Sequence, residues 1–151
     1  MPDASQIETA LTRFRRAMDA GRVAHAWILI GPPRGAGLVL AEAMLRQLFC
    51  VNSPLPCGEC AGCRRVQEHA HPDIVWIEPE SVSRQLKIDQ IRTGVIAPLS
   101  QTAYEGGWKA VVMLYADRMN ESAQNAFLKT LEEPPRKTLL LLLTEDPKNI
   151  L

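Results

Sequence analysis

The chain has 151 residues, 46% of them hydrophobic, which is enough to build one compact domain around its own core. Lys plus Arg number 17 and Asp plus Glu number 17, so no overall charge excess points to nucleic acid or an anionic membrane as the main partner. No apolar run approaches the roughly 18 residues that a membrane helix needs, and Met-Pro-Asp-Ala-Ser at the start lacks the layout of a signal peptide, so a cytoplasmic location and no membrane contact are expected.

Ile7, Leu11, Phe14 and Met18 recur at helical spacing and predict an opening amphipathic helix, with Arg13, Arg15 and Arg16 mostly on its wet face. Residues 26–30 (AWILI) read as a buried strand that runs into Gly31-Pro32-Pro33. Leu38, Ala41, Leu45 and Leu48 mark a helix to Phe49. Strand, glycine-rich loop and helix in that order open a nucleotide-binding α/β unit. A Cys-, Pro- and Gly-rich stretch from Cys50 to Cys63 follows, then a short helix over about 61–68. Residues 74–77 (IVWI) predict a second strand, and Ile88, Ile91, Val95 and Leu99 another helix. Gly106-Gly107 predicts a turn, and 109–114 (KAVVML) a third strand. Asn120 is the expected N-cap of a helix to about Glu132, stopped by Pro134-Pro135. Leu139 to Leu143 form the fourth strand. Apolar strands without alternation suit a parallel sheet covered on both faces, hence a three-layer α/β fold. The last residues, Asn149-Ile150-Leu151, carry no stop signal, and residues 1–151 read as one domain taken from a longer chain.

The loop after the first strand compares with the P-loop pattern G-x-x-x-x-G-K-[ST]. In that pattern the glycines let backbone N–H groups curl around phosphates, the lysine neutralises them, and the hydroxyl holds magnesium. Here the stretch is Gly31-Pro32-Pro33-Arg34-Gly35-Ala36-Gly37-Leu38. The first glycine fits; Ala36 stands at the second, Gly37 at the lysine and Leu38 at the hydroxyl. An acidic pair is expected at the end of the third strand, where Leu114 and Tyr115 stand instead, with Asp117 in the turn beyond. Both halves of a hydrolytic site are lost in register, so ATP hydrolysis is not expected. Weak nucleotide binding through loop amides stays open, because a helix N-terminus attracts phosphate on its own. Arg34 is read as a solvated loop arginine in preference to a phosphate ligand.

Cys50, Cys57, Cys60 and Cys63 follow C-x6-C-x2-C-x2-C and are all the cysteines of the chain. Four thiolates on tight knuckles suit tetrahedral zinc, and a full set of protein ligands leaves no position for water, so the metal is expected to be structural. An iron–sulfur cluster or a redox dithiol are the other readings. His69 and His71 lie close enough in sequence to replace a cysteine.

Residues 125–135, NAFLKTLEEPP, resemble the signature NALLKTLEEPP of bacterial clamp-loader subunits. His25-Ala26, Gly31-Pro32-Pro33, the four-cysteine insert and His71-Pro72-Asp73 fit the same family, over about residues 8–151. The resemblance implies an AAA+ (RecA-like) P-loop fold and a place in the DNA polymerase III holoenzyme, with partners among the gamma/tau and delta subunits and, through the assembly, the sliding clamp and primed DNA. Within the family the gamma/tau branch keeps the lysine and the acidic pair, whereas the delta-prime branch commonly has a degraded nucleotide site, which Gly37, Leu38, Leu114 and Tyr115 resemble. Thr144 falls at the position of the family's γ-phosphate sensor, with packing or capping as the plainer reading. The resemblance also implies an arginine finger in a Ser-Arg-Cys motif, and lid and collar domains, beyond Leu151. Glu132 and Glu133 are read either as solvated or as part of a subunit interface. The competing functions are an active clamp-loader ATPase using Arg34 and Asp117, and a zinc-containing nucleic-acid-binding module.

Overall fold

The computed structural model describes residues 4–52, 56–80, 84–104 and 107–150. The order is α1 (Ala4–Asp19), β1 (Ala26–Ile30), α2 (Ala36–Phe49), α3 (Ala61–Gln67), β2 (Ile74–Ile77), α4 (Ile88–Ile91), a π-helical turn (Arg92–Ile96), α5 (Ala97–Leu99), β3 (Lys109–Leu114), α6 (Glu121–Glu132) and β4 (Thr138–Thr144). Short 3₁₀ turns cover Ala116–Arg118 and Pro147–Asn149. Among the described residues the four strands form one parallel sheet in the order β1-β4-β3-β2.

The leucine run of β4 alternates between two cores. Leu139, Leu141 and Leu143 enter one, with Ala110, Val112 and Leu114 of β3, Phe14 of α1 and Leu45 of α2. Leu140 and Leu142 enter the other, with Val111 and Met113, Ile91 of α4 and Phe127 of α6. Every residue of β4 is buried. That explains why the strand is apolar at consecutive positions: a parallel strand flanked by two helical layers has no wet face.

Two elements differ from the sequence expectation. β1 is not covered on both sides: Ile28 and Ile30 are 49% and 59% exposed. It is one of the two edge strands, paired only with β4 among the described residues, and α6 covers the inner strands on that face. The predicted helix over 88–99 forms, but with a widened turn in which the Ala97 N–H bonds the Arg92 carbonyl five residues back. The widening falls just before Pro98, which has no N–H to give and whose ring crowds the Gly94 carbonyl. The predicted Gly106-Gly107 turn falls partly outside the described residues. Asn120 caps α6 as expected: its side-chain oxygen accepts from the Ala123 N–H at 2.9 Å.

Candidate functional site: a glycine loop and a four-cysteine cluster

The chain leaves β1 at Gly31, whose N–H donates to the Thr144 carbonyl at 2.9 Å. The loop therefore hangs at the carboxyl ends of β1 and β4, where ligands of parallel sheets sit. Its amides face inward. Both the Gly35 and the Gly37 N–H donate to the Pro32 carbonyl, at 2.9 and 3.1 Å. A phosphate-cradling loop aims such groups at its ligand. Gly37 is buried, and a Cβ there would lie 3.1 Å from the Pro32 oxygen and 3.6 Å from Leu143 Cγ. The position that a P-loop fills with lysine is thus packed against the loop's own backbone. Ala36 opens α2, with Gly35 at the N-cap and no side chain capping it.

Arg34 forms an ion pair with Glu78, which follows β2 directly. Both side chains are about half exposed, so the pair fixes the loop arginine's direction more than it adds stability. Leu38, Leu114 and Arg34 meet with Trp76 around a cavity of about 140 Å³. The hydroxyl and acidic positions of the motif are therefore close in space, and both are leucine. Tyr115 turns out of β3 in the left-handed region (φ 59°), and the Arg118 guanidinium lies 4.5 Å from its ring centre. Thr144 is buried; its Oγ1 donates to Asp117 Oδ1 at 2.6 Å and accepts from the Asp146 N–H at 2.8 Å. Thr144 therefore ties the ends of β3 and β4 together. Neither Glu78 nor the Thr144–Asp117 bond was apparent from the sequence; an acid immediately after the second strand was the available signal for the first.

The cysteines converge. Cys50 follows α2, Cys60 is the N-cap of α3 and Cys63 lies within it. All four sulfur atoms lie within 4.8 Å of one another, and Cys50 and Cys60 Sγ are 3.9 Å apart. Sulfurs on a tetrahedral zinc stand about 3.8 Å apart, given Zn–S near 2.3 Å. Backbone N–H groups point at the sulfurs: Cys60 N–H to Cys57 Sγ at 3.2 Å, Glu59 N–H to Cys57 Sγ at 3.4 Å and Cys63 N–H to Cys60 Sγ at 3.4 Å. The N–H of Cys63, then a backbone bond from Val51, hold the Cys60 thiol down to about 6, while burial pushes Cys63 up to about 12. Cys57 is lowered by the backbone groups of Glu59 and Cys60. The donor set, its spacing and its N–H fringe fit one soft dication.

Gly62 makes the convergence sterically feasible. A Cβ on it would sit 2.1 Å from the Phe49 carbonyl oxygen, so only glycine lets α3 lie against the end of α2. The histidines stand outside the cluster. His69 stacks on Trp76 with centroids 3.6 Å apart, and His71 is buried against Phe49, its Nδ1 accepting from the Asp73 N–H at 3.0 Å. The group that could hold a metal ion is therefore four cysteines, without histidine, among the described residues.

Residues 6–151 match the family described as DNA polymerase III, delta subunit. The DNA polymerase III subunit delta′ of Pseudomonas aeruginosa is 39% identical over 130 residues, covering 85% of this chain and 39% of that protein. The Escherichia coli subunit delta′ is 37% identical over 134 residues, covering 87% of this chain and 40% of that protein. The Escherichia coli subunit tau is 29% identical over 95% of this chain and 22% of its own length. The solved structure of a DNA polymerase III, gamma subunit-related protein from Thermotoga maritima superposes over 97% of this chain and 41% of that one, with a TM-score of 0.62 and 25% identity. The chain thus spans about 40% of the length of the delta′ relatives named here. It belongs to the family described as DNA polymerase III, delta subunit, with its curated delta′ relatives.

Proposed function

We propose that this chain is the AAA+ part of a clamp-loader subunit of the delta-prime kind that does not hydrolyse ATP. Its role is to pack beside gamma/tau and delta subunits in the cytoplasm and fix the geometry of an assembly that places the sliding clamp on primed DNA. The observation that carries this reading is the double loss around one loop: Gly37 and Leu38 on one side, Leu114 and Tyr115 on the other, with the loop amides turned onto Pro32. A charge-assisted hydrogen bond contributes about 1.5–3 kcal/mol, and both the lysine's bonds and the magnesium ligand are gone. The residues that an active ATPase would have to recruit are engaged elsewhere, Arg34 with Glu78 and Asp117 with Thr144. A subunit of this kind still matters to catalysis if it lends an arginine to a neighbour's ATP, since such a finger accelerates hydrolysis by about 10³–10⁵.

Cys50, Cys57, Cys60 and Cys63 would hold one zinc ion, which when bound supplies a closed four-point cross-link and no reactive position. The remaining groups do the positioning: Gly62 admits the Phe49 carbonyl, and the backbone N–H groups steady the sulfurs.

The test is titration of the purified chain with labelled ATP and magnesium, beside a tau subunit as the positive control. No turnover by this chain is expected. Micromolar binding accompanied by turnover overturns the proposal, and tight salt-dependent binding of primed DNA by this chain alone favours the zinc module as a nucleic-acid binder.

A further inference from the structure

We propose that the face opposite the glycine loop carries a docking groove for a short acidic peptide segment of a partner protein, anchored by an apolar side chain. Two adjoining cavities, of about 390 and 300 Å³, share Leu99, Ser100 and Pro135 as their common wall. The first lies between the π-helical turn and the end of α6. The second runs on across the loop after α5 to the starts of β3 and β4.

The charge on this groove is one-sided. Arg92 and Lys129 border the first cavity, Lys109 and Arg136 the second, and among the described residues Glu133 is the one acid lining either. The chain as a whole carries equal numbers of basic and acidic residues, so this face holds a local excess that the bulk charge conceals. Lys109 donates an ammonium N–H to the Pro98 carbonyl and so ties the start of β3 to α5. Arg92, Lys129 and Arg136 are exposed and form no ion pair among the described residues. Three free cations around one depression favour an anionic partner and hasten its encounter.

The floor decides between classes of anion. In the first cavity it is apolar, built from Ile96, Leu99 and Ala126, of which Ile96 and Ala126 are only partly covered by the core below. A phosphodiester backbone gains nothing from that floor. Among the described residues no aromatic lines either cavity, so bases find no stacking platform. A peptide with acidic residues flanking a leucine or phenylalanine satisfies both parts at once: the anchor covers the floor and the carboxylates meet the rim. The widened helical turn belongs to this site too, since Arg92 opens it and Ile96 ends it.

Fluorescence polarisation on the whole chain tests the proposal at low ionic strength. The probes are a fluorescein-labelled glutamate-rich peptide with a central Leu-Phe pair, the same peptide with Ser-Ser in its place, and labelled duplex DNA. The Leu-Phe peptide should bind about tenfold tighter than the Ser-Ser peptide, a difference on the order of one buried anchor. Arg92→Glu together with Lys129→Glu should weaken it by a further factor of at least about ten, with an unchanged circular-dichroism melt. Ala126→Glu, which places charge on the floor, should abolish the preference for Leu-Phe. Equal binding of the two peptides, tighter binding of the duplex, absence of saturable binding by either peptide, or indifference to the charge reversals each overturns it.

Discussion

Replacing Gly62 with alanine tests how the cysteine cluster is assembled. In an ordinary helix this change stabilises by about 1 kcal/mol, because glycine gives up more backbone freedom on folding. Gly62 lies inside α3, so helix propensity alone predicts a gain. The structure predicts the opposite sign. The added Cβ would stand 2.1 Å from the Phe49 carbonyl oxygen and 3.1 Å from its carbon. These are backbone atoms at the end of α2, so no side-chain rotation relieves the contact; α3 or the Phe49–Cys50 backbone has to move. Overpacking costs about 1–3 kcal/mol, and a rigid obstacle puts this case at the upper end. Subtracting the propensity gain leaves a net loss of about 2 kcal/mol, or roughly 4–8 °C in Tm for a chain of this size. The movement also separates Cys50 from Cys63, so the variant should surrender zinc faster to a chromophoric chelator. Gly94→Ala is the control, since its Cβ meets only the flexible end of Ile77 at 3.1 Å and the loss should be smaller. A Gly62→Ala protein as stable as the parent, with unchanged zinc release, would refute the close-approach argument.

The remaining predictions concern single interactions. Cys60→Ser should lower zinc content, measured by elemental analysis, well below one equivalent and expose the Cys50–Cys63 region to proteolysis before the sheet, because metal-binding energy is local folding energy. Thr144→Val removes the donor to Asp117 and the acceptor for the Asp146 N–H, at a cost of about 1–3 kcal/mol in denaturant unfolding; Thr144→Ser should restore most of it. Asn120→Ala deletes the cap of α6 and should cost about 1 kcal/mol, with Asn120→Ser near neutral. Phe127→Ala, at a fully buried position, should cost about 3–5 kcal/mol and lower the melting temperature more than any of the others.

What the sequence disclosed follows from which forces are local. The strands 74–77 and 109–114 stand at the expected residues, and β4 extends one residue beyond the expected run at each end. Consecutive apolar residues have few places to go but a sheet covered on both sides. The exception, β1, is no less apolar than its neighbours; its Ile28 and Ile30 are exposed because, among the described residues, no helix covers that face of this edge strand, which composition does not encode. The cysteine cluster was legible because two C-x2-C turns and one helix-end cysteine need little long-range information. Gly62 was not, because its role is the absence of an atom facing a carbonyl 13 residues earlier in sequence. Arg34 shows the same limit: its loop predicted solvent, and the Glu78 that holds it comes from a different strand.

The glycine loop shows how a loop of this shape can satisfy its own groups. A loop with several amides aimed at empty space would carry unsatisfied donors, each costing on the order of 1–3 kcal/mol where buried. In a nucleotide-binding protein the phosphates supply the acceptors. Here Pro32 supplies one carbonyl to both Gly35 and Gly37, Glu78 takes the arginine, and Asp117 takes the hydroxyl of Thr144. Each of these partners belongs to the chain itself, so these two amides, the arginine and the Thr144 hydroxyl are satisfied without a ligand. Putting back a lysine at Gly37 alone would then add a cation to a backbone already closed on itself, against a carbonyl 3.1 Å from the new Cβ and with Leu38 and Leu114 still where magnesium's ligands belong. Tight ATP binding by such a variant would require the Pro32 bonds to open as well, so under the proposed function the lysine alone should not create a working site.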